Sequence, residues 1–257
     1  MKDISVGIIG GTGGMGRWFA DLLKKEGHTV HVSGRKTKLC SDELAKICNV
    51  IVVAVPISAT AEVIKQVGPL LNKNQLLMDL TSLKKEPLEM MLASSAAEVI
   101  GCHPLFGPAI KESEGQNVVL CPGRGINWYP WLKGLFDKKG FNVLERTAVW
   151  HDEMMSIVQV LNHLNTISLG LALVESGQPL NELIKFSTPV FRAKLDIVKK
   201  LFTEGPGLYA DIITGNHEIE KILDTYEQVI REIRLAIKLE GSTGLKDKME
   251  KAAKKLF

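Results

Sequence analysis

The chain has 257 residues, of which 45% are hydrophobic and 24% are charged, and its formal net charge is +3. This length is enough for one large domain or two modest ones, each with a substantial core. The composition excludes a disordered chain, a collagen-like repeat and a disulfide-stapled miniprotein, because each of these classes is strongly biased in composition. The mild positive charge does not indicate nucleic acid as a partner, and we expect none.

The sequence also carries no clear signal for a membrane, a secretory route or a metal. Its longest uninterrupted apolar run, around Val50–Ile57, is far shorter than the roughly 18 residues that a membrane span needs. Met1–Asp3 leads directly into a β-like segment, without the apolar core of a signal peptide, so we expect a cytoplasmic protein. The four cysteines form no Cys-x-x-Cys pair, and we therefore interpret them as reduced thiols and expect no metal.

The first part of the chain alternates predicted strands with predicted helices. The first strands are short, rich in Val, Ile and Leu and without polar alternation, which is typical of strands buried on both faces of a parallel sheet. The predicted strands are Ile4–Gly10, Thr29–Ser33, Val50–Pro56, Gln75–Leu80, Glu98–Cys102, Val118–Cys121 and Asn142–Leu144. Helical spacing occurs at Arg17–Glu26, Asp42–Cys48, Ala59–Leu71 and Pro87–Ser95. This alternation predicts an α/β fold with a doubly wound, Rossmann-type parallel sheet.

A glycine-rich turn follows the first predicted strand and opens the first predicted helix. Gly11, Gly13 and Gly16 form the pattern G-x-G-x-x-G in the strand–turn–helix context that a dinucleotide site requires. The first glycine permits the tight turn, the second lets the backbone approach a pyrophosphate, and the third lets helix and strand pack closely. A glycine turn without a ligand is the alternative. We predict that the cofactor is bound by Gly11, Thr12, Gly13, Gly14, Met15 and Gly16.

The residues at the end of the second predicted strand indicate which dinucleotide binds. An NAD site has a carboxylate here for the ribose 2′-hydroxyl, but residues 33–36 are Ser-Gly-Arg-Lys and contain none. A hydroxyl and a guanidinium can instead bind a 2′-phosphate. We therefore favour NADP over NAD, bound through Ser33, Arg35 and Lys36. The alternative is that the two cations are merely solvated.

Three further strand ends carry residues that suit a crevice at the carboxyl edge of the sheet. Pro56 and Ser58 follow one strand, and we expect them beside the nicotinamide ribose, with a simple strand-ending role as the alternative. His103 directly follows a buried strand, and an ordinary pKa near 6.5 suits a histidine as proton acceptor at neutral pH. A hydrogen-bonded structural histidine is the alternative there. Ser82 and Lys84 reach the same cleft, or serve as a helix cap and a solvated charge.

The pattern changes near residue 150, where we place a boundary between a dinucleotide-binding domain (1–150) and a helical domain (151–257). No convincing strand follows His151. The first long helix, from Met154 to Val174, is apolar around most of its circumference, so we expect it to be buried. Further helices are predicted at Leu180–Phe202, Leu208–Asn216, Glu218–Leu239 and Thr243–Leu256. A helical domain of this kind needs a partner, and we predict a homodimer that shares these helices.

Three polar side chains stand out in the helical domain. Gln159 and His163 are four residues apart and therefore share one face of their helix. A lone histidine among leucines and isoleucines is by default a satisfied core residue. Arg192 follows a capped helix start in an apolar setting, where an arginine usually has an anion to bind.

Six motifs, in order along nearly the whole chain, resemble those of the prephenate dehydrogenase family. They are Gly10-Gly11-x-Gly13-x-Met15-Gly16, Asp79-Leu80-x-Ser82-x-Lys84, His103-Pro104-x-Phe106-Gly107-Pro108, His151-Asp152-x-x-Met155, Ser187-x-Pro189-x-x-Arg192 and Leu208-Tyr209-Ala210-Asp211-Ile212-Ile213. The later motifs look most like the dehydrogenase portion of the bifunctional chorismate mutase–prephenate dehydrogenase. This sequence shows neither the mutase domain nor a regulatory domain, so we do not expect those activities here.

The resemblance implies oxidative decarboxylation of prephenate to 4-hydroxyphenylpyruvate, on the route to tyrosine, without a metal. It implies that His103 takes the proton of the ring C4 hydroxyl as hydride leaves C4 for the nicotinamide, and that Ser82 orients both groups. Arg192 would bind a substrate carboxylate, and Lys84 would add positive potential for a dianionic substrate. His163 and Gln159 would face the substrate. The family includes NAD and NADP users and arogenate-specific members, and we favour prephenate as the substrate.

Two other functions compete with this interpretation. A β-hydroxyacid or imine reductase shares the two-domain plan, but such enzymes usually place a catalytic lysine on the first long helix of the second domain. No lysine lies between His151 and Gln178, which argues against that class. A nonenzymatic NADP-sensing protein would bind the cofactor without turnover and would make His103 dispensable.

Overall fold

The computed structural model describes residues 4–257, so the expectation drawn from Met1–Asp3 lies outside the described residues. The strands are β1 (Ser5–Ile9), β2 (Thr29–Ser33), β3 (Val50–Val53), β4 (Leu76–Asp79), β5 (Glu98–Pro104), β6 (Asn117–Arg124) and β7 (Asn142–Glu145). All seven form one sheet in the order β2-β1-β3-β4-β5-β6-β7. Neighbouring strands run parallel except for the antiparallel pair β5–β6. The predicted Rossmann-type fold is therefore confirmed, with the last two strands reversed relative to the first five.

Helices on both faces explain why the central strands are unbroken apolar runs. Every residue of β3 and β4 is buried, as expected for strands that are covered on both sides. One face packs against α1 (Gly14–Lys25) and α5 (Tyr129–Lys138). The other face packs against α2 (Ser41–Ile47), α3 (Ile57–Val67) and α4 (Lys85–Ser94).

Helix α5 is absent from the sequence-based prediction. Its residues include Pro130, Gly134 and two aromatic side chains in its first turn, and glycine and aromatic residues are weak helix formers. The helix forms because Leu132 and Phe136 are buried against the sheet, and burying such a side chain contributes about 1.5–3 kcal/mol. Tertiary packing thus outweighs the local preference.

The helical part follows β7, and among the described residues no strand occurs after it. Its helices are α6 (Ala148–Met155), a π-helical segment (Ser156–Leu161), α7 (Asn162–Glu175), α8 (Leu180–Lys185), α9 (Pro189–Glu204), α10 (Pro206–Thr214) and α11 (Ile219–Leu256). The single helix predicted at Leu180–Phe202 is wrong, because the Thr188 side chain caps α9 and Pro189 starts it. Conversely, the helices predicted at Glu218–Leu239 and Thr243–Leu256 form one helix, α11, which is kinked at Gly241 where φ is 61°.

The first long helix is much less buried than its composition suggests. The stretch Ala148–Glu175 is the one among residues 4–257 that is long and apolar enough to cross a membrane, and only 11% of its most apolar window is buried. The prediction of a buried helix is therefore wrong for the single chain. The stretch contains no long uninterrupted apolar run in the sequence, because polar residues such as Gln159 and His163 interrupt it. Its exposed apolar residues include Ile157, Val158, Leu171 and Val174.

Candidate active site

A cleft of about 500 Å³ opens at the carboxyl ends of β1, β3, β4 and β5, facing α7 and α10. The sheet side contributes residues 13–15, 54–57, 80–82 and 103–108, and the helical side contributes Gln159, His163, Leu208, Tyr209 and Ile212. This is the edge of a doubly wound sheet where ligands bind. The cleft thus lies between the two parts of the chain and is lined by both.

The glycine-rich turn forms the end of the cleft nearest to α1. Gly10 has a φ of +84°, and a Cβ there would lie 2.4 Å from the carbonyl oxygen of Ala54, so the left-handed residue of the turn is Gly10 rather than Gly11. A Cβ at Gly16 would lie 2.4 Å from the Gly10 carbonyl oxygen, which confirms the predicted close packing of helix on strand. The N-cap Gly13 has no side-chain cap. The first N–H groups of α1 are therefore available to an anion, and the turn fits a dinucleotide pyrophosphate.

Only some of the predicted cofactor residues lie in the cleft. Gly13, Gly14, Met15 and Pro56 line the cleft, whereas Thr12 lines an adjoining cleft of about 720 Å³ beside α1. Ser33 is buried and its carbonyl oxygen accepts N–H bonds from Gly10 and Gly11, while Arg35 and Lys36 are exposed in the turn after β2. Ser58 is exposed on α3 and does not line the cleft.

His103, at the end of β5, lies in the cleft wall and is only 3% exposed. Its Nδ1 atom is 2.8 Å from Nε2 of His151, which leaves Nε2 of His103 as the ring nitrogen available to the cleft. Burial lowers the pKa of His103 well below 6.5, and electrostatic interaction with His151 and Lys84 lowers it further. His103 is therefore neutral at physiological pH and able to accept a proton.

His151, which contacts His103, also contacts the next residue of α6, Asp152. His151 Nδ1 is 2.7 Å from Asp152 Oδ1, and the Asp152 carboxylate accepts the backbone N–H groups of Lys84 and Lys85, both at 2.9 Å. Burial raises the pKa of Asp152, but the hydrogen bonds from His151 and the two backbone groups outweigh it and leave this pKa below its ordinary value. Asp152 was quoted in a motif but not predicted as a site residue. Its signal was the His-Asp pair in one of the six motifs.

Ser82 and Lys84 lie in different surroundings although they are close in sequence. Ser82 is half-buried and lines the cleft. Lys84 is fully buried and forms an ion pair with Asp79, so it does not line the cleft as a substrate-binding residue would. An ammonium group without solvent needs a paired carboxylate. The charge of Lys84 acts on the cleft through its effect on His103.

Gln159 and His163 both line the cleft, as their shared helix face predicts. The π-helical segment also brings His163 to the same side as His151. On a regular helix, residues twelve positions apart point about 120° away from each other. One additional residue in a turn removes about 100° of that difference. The His163 ring lies 4.8 Å from the ring of Tyr209, and burial lowers the pKa of His163. Tyr209 was quoted in a motif but not singled out as a site residue.

Arg192 is not in the cleft. It is exposed at the start of α9, and its Nε donates to Ser187 Oγ at 2.6 Å while Nη2 donates to the Ile184 carbonyl oxygen at 3.3 Å. Among the described residues, no Lys, Arg, Asp or Glu lines the cleft. In the single chain, the guanidinium group of Arg192 is thus hydrogen-bonded to residues at the junction of α8 and α9.

Two family models match the chain in succession. The prephenate dehydrogenase nucleotide-binding domain matches residues 36–143, and the prephenate dehydrogenase dimerization domain matches residues 147–251. Together they cover most of the chain, although the glycine-rich turn lies before the first match.

Individual relatives agree with these matches. The chain is 35% identical, over 98% of its length, to a probable arogenate/prephenate dehydrogenase of Methanocaldococcus jannaschii, and 36% identical, over 88%, to the T-protein of Haemophilus influenzae. It spans only 61% and 60% of the lengths of these relatives. Among solved structures it resembles prephenate dehydrogenase from A. aeolicus in complex with hydroxyphenyl propionate and NAD+, with a TM-score of 0.82 at 18% identity, over 99% of this chain and 98% of that one. That likeness shows a common fold.

Proposed function

The chain belongs to the prephenate dehydrogenase family, and from this premise we propose that it converts prephenate to 4-hydroxyphenylpyruvate by oxidative decarboxylation with a nicotinamide dinucleotide. The observation that carries the proposal is the position of His103. It is a buried, neutral histidine whose Nδ1 is engaged and whose Nε2 is available to the cleft. The same cleft holds the uncapped start of α1. A proton acceptor and a site for a dinucleotide pyrophosphate thus lie in the same cleft.

The glycine turn and the turn after β2 would hold the cofactor. The N–H groups at the start of α1 would bind the pyrophosphate, and a bound nicotinamide would supply the hydride acceptor. We propose NADP as the preferred cofactor, because residues 33–36 offer two exposed cations and no carboxylate to repel a 2′-phosphate. Neither Arg35 nor Lys36 forms an ion pair with another described residue, so both are free to turn toward an anion.

The side chains of the cleft would then perform the proton transfer. His103 accepts the proton of the ring C4 hydroxyl through Nε2 as hydride leaves the same carbon. Ser82 lines the cleft with His103 and orients the hydroxyl. Loss of the ring carboxylate as carbon dioxide leaves its bonding electrons in the ring and completes aromatisation. The enzyme mainly orients the groups, since aromatisation supplies the driving force.

The polarity of the cleft supports prephenate over arogenate. Arogenate carries an ammonium group where prephenate carries a keto group, and burying an ammonium without a carboxylate is costly. No Asp or Glu lines the cleft among the described residues. Gln159 and His163 would contact the substrate as neutral polar groups. Binding of a substrate carboxylate by Arg192 would require release of its bonds to Ser187 and Ile184.

We further propose a homodimer through the helical part of the chain. Residues 147–251 match a dimerization domain, and the stretch Ala148–Glu175 leaves a long apolar surface uncovered. A second copy would remove Leu171 and Val174, which are 54% and 71% exposed, from water. Light scattering at micromolar concentration tests this proposal, and a monomer-sized species would contradict it.

The reaction is tested with prephenate and arogenate, each offered with NAD and with NADP. We expect reduction of the nicotinamide with prephenate, fastest with NADP, and loss of that activity in His103→Asn. The matched control is His217→Asn, because His217 is exposed outside the cleft, and it should keep the wild-type rate. Reduction with arogenate alone, or with none of the four pairs, would contradict the proposal.

A further inference from the structure

Two buried side chains of α6, His151 and Asp152, link the helical part of the chain to His103. We propose that His151 and Asp152 are positioning residues that hold His103 in the tautomer with its proton on Nδ1, so that the lone pair of Nε2 faces the substrate. The inference rests on the proposed function for the identity of the proton donor. The contacts themselves are independent of it: 2.8 Å between the two histidines and 2.7 Å between His151 and Asp152. All three residues are at most 3% exposed.

Asp152 determines the direction of its hydrogen bond with His151. Its carboxylate lies at the N-terminus of α4 and accepts two backbone N–H groups, an environment that favours the charged form. An ionised carboxylate can only accept hydrogen bonds, so the nitrogen that faces it, Nδ1 of His151, carries a proton. Nε2 of His151 and Nδ1 of His103 share one hydrogen bond, and in the proposed arrangement His151 accepts it and His103 donates it. The proton on His103 is thereby assigned to the nitrogen that points away from the cleft.

The same arrangement stabilises His103 after it has taken a proton. The imidazolium keeps its Nδ1–H bond to His151, which in turn donates to the Asp152 carboxylate. This is the logic of a serine protease triad, in which a buried Asp fixes the tautomer of the histidine base and its loss costs about 10⁴ in rate. Here a second histidine, His151, lies between the base on β5 and the carboxylate on α6.

The charged and titratable groups around His103 are compatible with this assignment. Lys84 and Asp79 form a closed ion pair on the sheet side, and His163 lines the cleft from α7. Neither Lys84 nor Asp79 has a hydrogen bond to the His103 ring among the described contacts. The backbone carbonyl of Asp152 accepts the Asn216 side chain at 2.9 Å, so α6 is held in register from a second direction.

Two substitutions of His151 separate positioning from simple packing. In His151→Gln the side-chain oxygen can still accept the Nδ1–H of His103, whereas in His151→Phe no acceptor remains but a ring still fills the space. We expect kcat with prephenate to fall at least tenfold further in His151→Phe than in His151→Gln, with KM changed less than threefold. The acid limb of the kcat profile should also move in His151→Phe. Equal kcat values and pH profiles in both variants and the wild type would overturn the proposal.

A spectroscopic readout of the full-length wild-type protein tests the tautomer without relying on turnover. Nitrogen NMR of ¹⁵N-histidine-labelled protein, with His103→Asn to assign the resonances, should show His103 protonated at Nδ1 and bare at Nε2. The opposite tautomer would overturn the proposal even if both His151 variants fail to fold. A wild type that shows the expected tautomer but no turnover of prephenate would contradict the proposed function and leave the positioning role standing.

Discussion

Lys84 and Asp79 form an ion pair in which neither side chain has any exposure to solvent. Thr81 supports the pair by donating its hydroxyl to the same carboxylate oxygen at 2.5 Å. The pair packs at Gly101, where an added Cβ would lie 3.0 Å from Lys84 Cδ. The lysine of the Ser82-x-Lys84 motif is thus a buried structural charge next to β5, and its positive charge helps to keep His103 neutral.

Removing one member of this pair should lower the free energy of unfolding far more than removing both. Lys84→Met leaves the Asp79 carboxylate buried without a counter-charge and should lower the free energy of unfolding by about 3–5 kcal/mol. The double variant Lys84→Met/Asp79→Leu should recover most of that loss, because no unpaired charge remains. Urea unfolding of both variants measures the difference. A loss below about 1 kcal/mol in the single variant would show that the pair is not the buried contact described here.

The packing of α1 on β1 predicts a contrast between two glycines. In Gly16→Ala the new Cβ would meet backbone atoms, 2.4 Å from the Gly10 carbonyl oxygen and 2.8 Å from Gly11 Cα, and should destabilise the fold by about 1–3 kcal/mol. Gly134 lies in α5 with no atom within 4 Å of an added Cβ, so Gly134→Ala should stabilise it by about 0.5–1 kcal/mol. Thermal or urea unfolding of the two variants checks the signs. Similar effects of both substitutions would refute the close approach at Gly16.

The turn after β2 predicts a change in cofactor selectivity. A hydrogen bond to a charged group contributes about 1.5–3 kcal/mol, so Arg35→Ala should lower kcat/KM for NADP by about 10- to 100-fold. The value for NAD should change little, because NAD has no 2′-phosphate. Lys38→Ala is the matched control, since Lys38 is exposed in the same turn but is not assigned to the cofactor. An equal loss with both cofactors would remove Arg35 from the 2′-phosphate site.

The depressed pKa of His103 predicts how activity and stability depend on pH. Because burial holds this pKa well below 6.5, the acid limb of kcat/KM should lie below pH 6.5. The unfolded chain binds a proton at His103 near pH 6.5 and the folded chain does not, so the free energy of unfolding should decrease as pH falls below that value. His103→Asn should reduce this decrease. An acid limb at or above pH 6.5 would contradict the buried, neutral histidine.

Much of the sheet domain was predictable because its central strands are buried on both faces. Unbroken apolar runs identify β1, β3 and β4 within a few residues, and the partly buried β2 (Thr29–Ser33) has the predicted bounds. Helix α5 was not predictable from local preference, since its stability comes from burial of Leu132 and Phe136. The break before α9 follows from the cap at Thr188, a signal that competes with an otherwise continuous helical pattern.

The site was predictable only where one local pattern defines it. His103 and Ser82 were predicted to lie in the cleft because they are near the carboxyl ends of two predicted strands, and Gln159 and His163 because their spacing puts them on one face of a helix. The contact of His103 with His151 joins residues 48 positions apart, and no local pattern contains that information. The burial of Lys84 and the outward position of Arg192 likewise depend on which elements pack around them.

Product analysis tests most directly whether His103 is the base in an oxidative decarboxylation of prephenate, as we propose. Wild-type protein supplied with prephenate and NADP should form 4-hydroxyphenylpyruvate and reduced cofactor in equal amounts. His103→Asn should lower kcat by about 10²- to 10⁴-fold, while cofactor binding measured by calorimetry stays unchanged. Failure of the wild type to form 4-hydroxyphenylpyruvate with either NAD or NADP, or full activity of His103→Asn, would contradict the account.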